Sequence, residues 1–323
     1  MFKTRITDLF GIRYPLIQGG MRHVSRAELV AAVGNAGGLG FLSAHSFTSP
    51  EALHEEIERI RTLTDKPFGV NLTILPKLSV KPEVSAQVIL DAGVGYVETA
   101  GGNPAKFITT FKEAGIKVLH KCTAVRFALK AEQLGADAVS LTGFEAAGHP
   151  GEDHIPNTVL IPAAVDKLKI PVVANGGFAD GRGLVAALAL GAEGIAMGTR
   201  FLMTKESPMP NAVKARYLSA SELDTTLICR SIGDSTRVLK NALTDRILAL
   251  EKAGTASHDD LMALASSLRW IQATKKDDPD DGAYAAGIGV GLIHEIPTCS
   301  ELMQKIIEDA RSIIGKRLAG ISG

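Results

Sequence analysis

The chain is poor in several things that would point elsewhere. Its 323 residues hold three cysteines, Cys122, Cys229 and Cys299, which are far apart and lack metal-ligand spacing. A disulfide framework and a structural zinc site are both excluded by that count, and the thiols read as free in a reducing compartment. No metal site is expected. Excess charge of either sign is missing too: Lys+Arg and Asp+Glu both number 35, so the net charge is zero. A polyanionic partner would need a basic excess, and nucleic acid is therefore not expected as a ligand. There is no long apolar run, and Met1-Phe-Lys-Thr-Arg5 lacks the apolar core of a signal peptide. The expectation is a protein with no membrane insertion, in the cytoplasm.

What is present is a large apolar reserve, 46% of residues, arranged as short hydrophobic runs alternating with amphipathic stretches. Eight runs read as strands: 14–18, 39–42, 68–71, 96–99, 117–120, 138–141, 172–175 and 194–197. Between them lie helical segments such as 50–63, with Ser49 as N-cap and Pro50 at the first position. Others span 124–134 and 183–190, each stopped by a glycine (Gly135, Gly191) suited to a C-cap. Eight strands, each but the last followed by a helix, predict an α/β fold, a TIM (β/α)8 barrel, ahead of an open doubly wound sheet. Gly34-Asn-Ala-Gly-Gly-Leu-Gly40 follows a helix and precedes a strand, the reverse of a dinucleotide fingerprint, and reads as a helix stop and turn.

After Phe201 the pattern turns helical without intervening strands, over 212–220, 237–253 and 258–274. This predicts an added small helical domain at the end of the last strand. The division is residues 1–207 for the barrel, with 299–323 packing back on it as an amphipathic helix, and 208–298 for a helical lid or substrate domain. Asp277-Asp-Pro-Asp-Asp281 has the look of a calcium loop, but its proline and the missing downstream glutamate favour a solvated turn.

Barrel chemistry sits at the C-terminal ends of the strands. Three motifs fall there: Gln18-Gly19-Gly20-Met21, Asn175-Gly176-Gly177-Phe178 and Met197-Gly198-Thr199-Arg200. The last two follow neighbouring strands. Their glycines let the backbone approach a ligand and turn several N–H groups toward it, which suits one phosphate. Asn71 ends its strand and is open to a cap or a ligand role, while His120 lies inside an apolar strand and reads as a core histidine. Lys121, at the mouth, is costly unless it meets an anion or a dipole. Gly148-His149, in Ala147-Gly-His-Pro-Gly-Glu-Asp153, sets a rigidly turned histidine beside the mouth, a candidate general acid or base. One phosphate together with a lysine fits flavin mononucleotide (FMN), with Lys121 at the ring edge where negative charge gathers on reduction. The competing ligand is a sugar phosphate in an aldolase-like barrel, for which no Schiff-base lysine or metal cluster is evident.

In order along the chain, Gln18-Gly-Gly-Met21, Gly69-Val-Asn71-Leu, His120-Lys121-Cys122, Ala147-Gly-His-Pro-Gly-Glu152, Asn175-Gly-Gly-Phe-Ala-Asp-Gly181 and Met197-Gly-Thr-Arg-Phe201 resemble the nitronate monooxygenase (2-nitropropane dioxygenase) family. The resemblance is nearest to its bacterial NADH:quinone reductase branch and covers essentially the whole chain. It implies non-covalent FMN at the C-terminal face of the barrel, lined by Gly20, Met21, Asn71, Lys121, Gly148, Asn175, Gly176, Gly177, Met197, Gly198 and Thr199. It also implies a catalytic His149, a substrate loop reaching Pro76 and Gly287, and NADH as co-substrate. Gly287-Ile288 stands where nitronate-oxidising relatives often have Gly-Gln, which sets quinone reduction ahead of nitronate oxidation. An FMN-type enoyl-acyl-carrier-protein reductase and a non-enzymatic flavin-binding barrel follow. The partners implied are small molecules (NADH, and a quinone or a nitronate), and a homodimer is compatible with them.

Overall fold

Eight parallel strands close into a barrel in chain order, β1 (Leu16–Gln18), β2 (Leu39–Ser43), β3 (Phe68–Ile74), β4 (Tyr96–Gly101), β5 (Lys117–Cys122), β6 (Ala138–Thr142), β7 (Val172–Asn175) and β8 (Gly194–Met197), with β8 pairing back onto β1. The structure is a computed structural model that describes residues 2–75 and 80–322. Pro76 lies outside the described residues.

The helices outside the strands begin with α1 (Arg5–Phe10), which precedes β1. The crossovers are α2 (Ala27–Asn35), α3 (Pro50–Leu63), α4 (Pro82–Asp91), α5 (Ala105–Glu113), α6 (Val125–Gln133), α7 (Asn157–Val165) and α8 (Gly181–Ala189). Local chemistry explains several boundaries. Ser49 caps α3 by accepting from Ala52 N at 3.2 Å, with Pro50 at a position whose N–H needs no partner. Gly135 and Gly191 follow α6 and α8 at φ +92° and +94°, a backbone that glycine reaches without steric cost.

Inside the barrel, Ile17, Phe41, Leu119, Ala138, Val173 and Ala196 pack together, and α1 closes the bottom with Ile6 and Phe10. Gly69 faces the Phe41 ring so closely that a β-carbon there would overlap it, so the largest interior side chain depends on a glycine across the sheet. Strand residues of opposite parity (Val70, Val97, Val118, Val139) join the layer between sheet and helices. His120 belongs to that outer layer. It is 3% exposed, and its Nδ1 lies 2.9 Å from Thr99 Oγ1. It is a satisfied core histidine, as the sequence predicts.

Beyond β8 come α9 (Thr199–Leu202), α10 (Asn211–Leu218), α11 (Ala242–Ala253), α12 (His258–Leu264), α13 (Ser267–Lys275) and α14 (Cys299–Ser312). The expected absence of strands in this block is corrected. Between α10 and α11 runs an antiparallel hairpin, β9 (Thr225–Ile228) and β10 (Thr236–Leu239), pairing Thr236 with Ile228 and Leu239 with Thr225. The helix expected from 237 therefore begins only at Ala242, where Asn241 and Thr244 form a capping box. The segment 258–274 is likewise two helices, because Ser266 caps a new one. The hairpin, α11 and α12 share a small core of Ile228, Val238, Leu243, Ile247 and Leu261.

α14 packs between α8 and α2; a β-carbon on Gly181 would come within 2.6 Å of Ala310 N. Asp277 is more than a solvated turn residue, since its carboxylate caps α10 by accepting from Ala212 N at 2.9 Å. No group of metal-ligating side chains is found among the described residues. No helix among them is long and apolar enough to cross a membrane.

Candidate active site

Strand parity selects what reaches the mouth. Asn71 is registered with Glu98 and Glu98 with Leu119, and Lys121 lies two residues beyond Leu119 on the same face. Since Leu119 is in the barrel interior, Asn71, Glu98 and Lys121 all point inward. They meet at one atom. Glu98 Oε2 accepts from Asn71 Nδ2 at 2.5 Å, Lys121 Nζ at 3.1 Å and the backbone N–H of Gly20 at 3.3 Å. Glu98 itself is fully buried, while the Lys121 side chain keeps 23% of its surface exposed. Gly20 admits no side chain, because a β-carbon there would overlap Asn71. The sequence names Gly20, Asn71 and Lys121 one by one; their common partner Glu98 carries no role in that reading.

Across the mouth, Asn175 Nδ2 donates to Thr142 Oγ1 at 3.1 Å. Gly176 and Gly177 follow at φ +96° and +79°. Asn157, at the start of α7, clamps this turn: its Nδ2 donates to Asn175 O at 3.0 Å and Gly176 O at 2.7 Å, and its N–H to Glu145 Oε1 at 3.0 Å. Neither Asn157 nor Glu145 is singled out by the sequence. On the adjacent strand, Met197 leads into Gly198 and Thr199, and Met21 Sδ lies 3.5 Å from where a β-carbon on Gly198 would be. Thus the loop after β1 comes to the end of β8. Among the described residues, the backbone N–H groups of Gly176, Gly177, Gly198 and Thr199 donate to no protein acceptor. Unsatisfied N–H groups at the ends of two neighbouring strands suit an anion with several oxygens.

Gly287 closes this side by donating its N–H to Thr199 Oγ1 at 3.0 Å, and Ile288 N donates to Glu145 O at 2.9 Å. The stretch expected as a substrate loop is therefore fastened to the glycine turns. Gly148 (φ +68°) pairs its backbone with Arg237 of β10 and has open space where a β-carbon would stand. Arg237 in turn is buried over the Phe144 ring at 4.5 Å and donates to Phe144 O. These contacts tie the hairpin to the loop after β6.

His149 is placed differently from Lys121. Its side chain is 66% exposed on the rim, with Nε2 at 3.2 Å from Asp234 Oδ1 and 3.3 Å from Thr236 Oγ1. The imidazole beside it holds the Asp234 carboxyl below the usual carboxylate range. No hydrogen bond joins His149 to the Glu98 cluster among the described residues. Its partners belong to the hairpin, so the rim histidine is set by the added block and not by the barrel.

A family model described as nitronate monooxygenase matches residues 3–309. The chain belongs to that family. It is 35% identical to a Rhodococcus jostii protein named (3aS,4S,5R,7aS)-5-hydroxy-7a-methyl-1-oxo-octahydro-1H-indene-4-carboxyl-CoA dehydrogenase, over 95% of this chain and 96% of the relative. A probable nitronate monooxygenase of Staphylococcus saprophyticus is 35% identical over 74% of this chain and 79% of its own length. Among solved structures, that of FabK from Thermotoga maritima superposes with a TM-score of 0.92 at 33% identity, covering 99% of this chain and all of the other. The barrel architecture and membership of an oxidoreductase family are thereby established.

Proposed function

We propose that the protein is an FMN-dependent oxidoreductase that takes electrons from NADH and passes them to a quinone, in alternate half-reactions at one site. The observation that carries this reading is a cradle of four free N–H groups opposite a fixed cation: Gly176, Gly177, Gly198 and Thr199 on one side of the mouth, Lys121 on the other. FMN has one phosphate and a ring that gains negative charge on reduction, so both demands meet residues already in position. When bound, FMN supplies two-electron chemistry that no side chain offers.

The chain's own residues do the holding. The glycine turns would take the phosphate, kept in shape by Asn157 and by the Gly287–Thr199 hydrogen bond. Met21, Gly20, Asn71, Lys121 and Gly148 would line the ring, with Asn175 and Met197 supporting the turns. Gly148 leaves room for close approach, having nothing within 4 Å of the missing side chain. NADH and the acceptor would use the same mouth in turn, which predicts ping-pong kinetics. His149, exposed and engaged by Asp234 and Thr236, would hydrogen-bond to a substrate oxygen at the rim.

The second reading is nitronate oxidation, favoured by the same histidine. A base oriented by a carboxylate is what proton abstraction needs, and the His149–Asp234 pair provides one. The reductase reading stands first because that pair sits at the rim and not against the Glu98–Lys121 centre. The full-length similarity to a carboxyl-CoA dehydrogenase makes an acyl thioester a further substrate to offer, in the place of the quinone.

The test mixes the holoenzyme anaerobically with NADH, and separately with a propyl nitronate, while the visible flavin absorbance is followed. Bleaching by NADH with recovery on adding quinone supports the first reading. Bleaching by the nitronate and none by NADH reverses the order; recovery with a 2-enoyl thioester but not with quinone replaces the acceptor.

A further inference from the structure

Glu98 is a carboxylate in a place where carboxylates are expensive. It is completely buried at the barrel mouth, and its second oxygen, Oε1, has no hydrogen-bond partner and no exposed surface. Burying such a group is tolerated only with a counter-charge and donors. Those donors are Lys121, Asn71 and Gly20, three of the residues assigned above to the flavin. Lys121 is the one cation paired with it among the described residues. In register, Ala100 stands beside Lys121, so Glu98 lies two residues deeper in the barrel, roughly 6–7 Å along the strand direction. The carboxylate has no exposed surface while the Lys121 side chain keeps 23% of its own, so the pair meets the open mouth through the lysine.

A lone lysine facing developing negative charge would make reduction easier by its full charge. With a carboxylate 3.1 Å behind it, part of that charge is cancelled before it reaches the ligand. We propose that Glu98 is a positioning residue that fixes Lys121, Asn71 and Gly20 against the bound flavin and offsets the lysine's charge, lowering the flavin's two-electron potential below what Lys121 alone would set. The inference rests on the FMN reading and adds to it a control of driving force. A flavin held at lower potential is a stronger donor to whatever acceptor enters second.

The test compares holoenzyme with Glu98→Gln and Glu98→Asp by anaerobic equilibration against redox dyes. Glutamine keeps the size and an acceptor oxygen but removes the charge. It is expected to favour reduction at least tenfold, a rise of about 30 mV for a two-electron couple. Aspartate withdraws the charge by one methylene and should fall between the two, at least threefold above wild type. If only one variant accumulates as folded protein, its shift alone decides. For a variant that holds FMN weakly, the same quantity is the ratio of its affinities for oxidised and reduced FMN. A purely structural role would weaken both affinities alike and leave the ratio unchanged, which would overturn the proposal, as would a lowered potential. Wild-type protein that binds no added FMN removes the flavin reading and this one with it; a yellow wild type whose potential ignores both substitutions removes only this one.

Discussion

Replacing Lys121 by methionine should cost the fold as well as the chemistry. Read from the sequence, Lys121 is a cation at the ring edge of the ligand, and its loss tells on the chemistry more than on the fold. In the structure it is the counter-ion of a carboxylate with no exposed surface. Lys121→Met leaves Glu98 with Asn71 and one backbone N–H, and with Oε1 still unpartnered. Removing one member of a buried pair typically costs 3–5 kcal/mol, because the remaining charge is uncompensated; the partial exposure of Lys121 puts this pair near the lower end, about 3 kcal/mol. That is more than a hundredfold in the folding equilibrium. The assay is urea unfolding of FMN-free protein, so that ligand linkage does not enter the comparison. Adding Glu98→Gln to Lys121→Met should recover about 2 kcal/mol or more, since the charge that lacked a partner is gone. A Lys121→Met protein within about 0.5 kcal/mol of wild type, or a double variant no more stable than the single, would refute the claim that these two groups hold one another.

Heating the purified yellow protein should release FMN and no FAD on chromatography, because the mouth offers one phosphate cradle; recovered FAD or colourless protein counts against it. Gly20→Ala should weaken FMN binding at least tenfold by driving a methyl into Asn71, whereas Gly95→Ala, with nothing within 4 Å of its new methyl, should bind normally; equal binding by both would show that Gly20 has room to move. Asn157→Ala removes the donors that hold Asn175 O and Gly176 O, and should lower FMN affinity while leaving Lys121-dependent redox behaviour alone. For pH, burial pushes His120 down to about 4 from 6.5, so the unfolded chain takes up its proton first; His120 stabilises fully above pH 6.5 and loses up to about 3 kcal/mol as pH falls toward 4. His120→Gln should flatten that acid slope in part, since burial also pushes His23 and His45 down to about 4; an unchanged slope would exclude the linkage.

All eight strands were legible because each is a short apolar run bounded by turn residues, and barrel strands buried on both faces are written that way. Residues 172–175 and 194–197 coincide with β7 and β8, and the other runs fall short of or overreach their strands by one to three residues. The hairpin of the added block was not legible for a physical reason. Leu239, Leu243 and Ile247 are spaced as on one helix face, yet the first belongs to β10 and only the last two to α11. A signal for the break did exist in Asn241-Ala-Leu-Thr244, an N-cap with a reciprocal partner three residues on. Hydrophobic periodicity ran straight through it. Because the hairpin went unseen, so did the partners of His149, Asp234 and Thr236, which come from β10 and the turn before it.

At the mouth, the legible part is the part made of backbone. Gly20, Gly176 and Gly177 announce themselves because few other residues allow the approach or the positive φ they need. Glu98 stands near the end of the expected strand 96–99, a position worth weighing, but as one polar letter in Tyr96–Gly101 it shows no role of its own. Its meaning lies in three partners brought from 27, 78 and 23 residues away along the chain. Register could have exposed it: once β3, β4 and β5 are taken as consecutive parallel strands, Asn71, Glu98 and Lys121 share the inward parity, and a carboxylate between an amide and a lysine at one level of a barrel has to be paired. In the proposed reading, the residues of the family motif are the ones that meet the ligand. What sets the strength of Lys121 as a cation is a neighbour outside that motif, so two chains with the same flavin contacts can hold the same lysine at different effective charge. A substitution at position 98 is then expected to shift the balance between electron uptake and delivery without altering any residue of the recognised pattern.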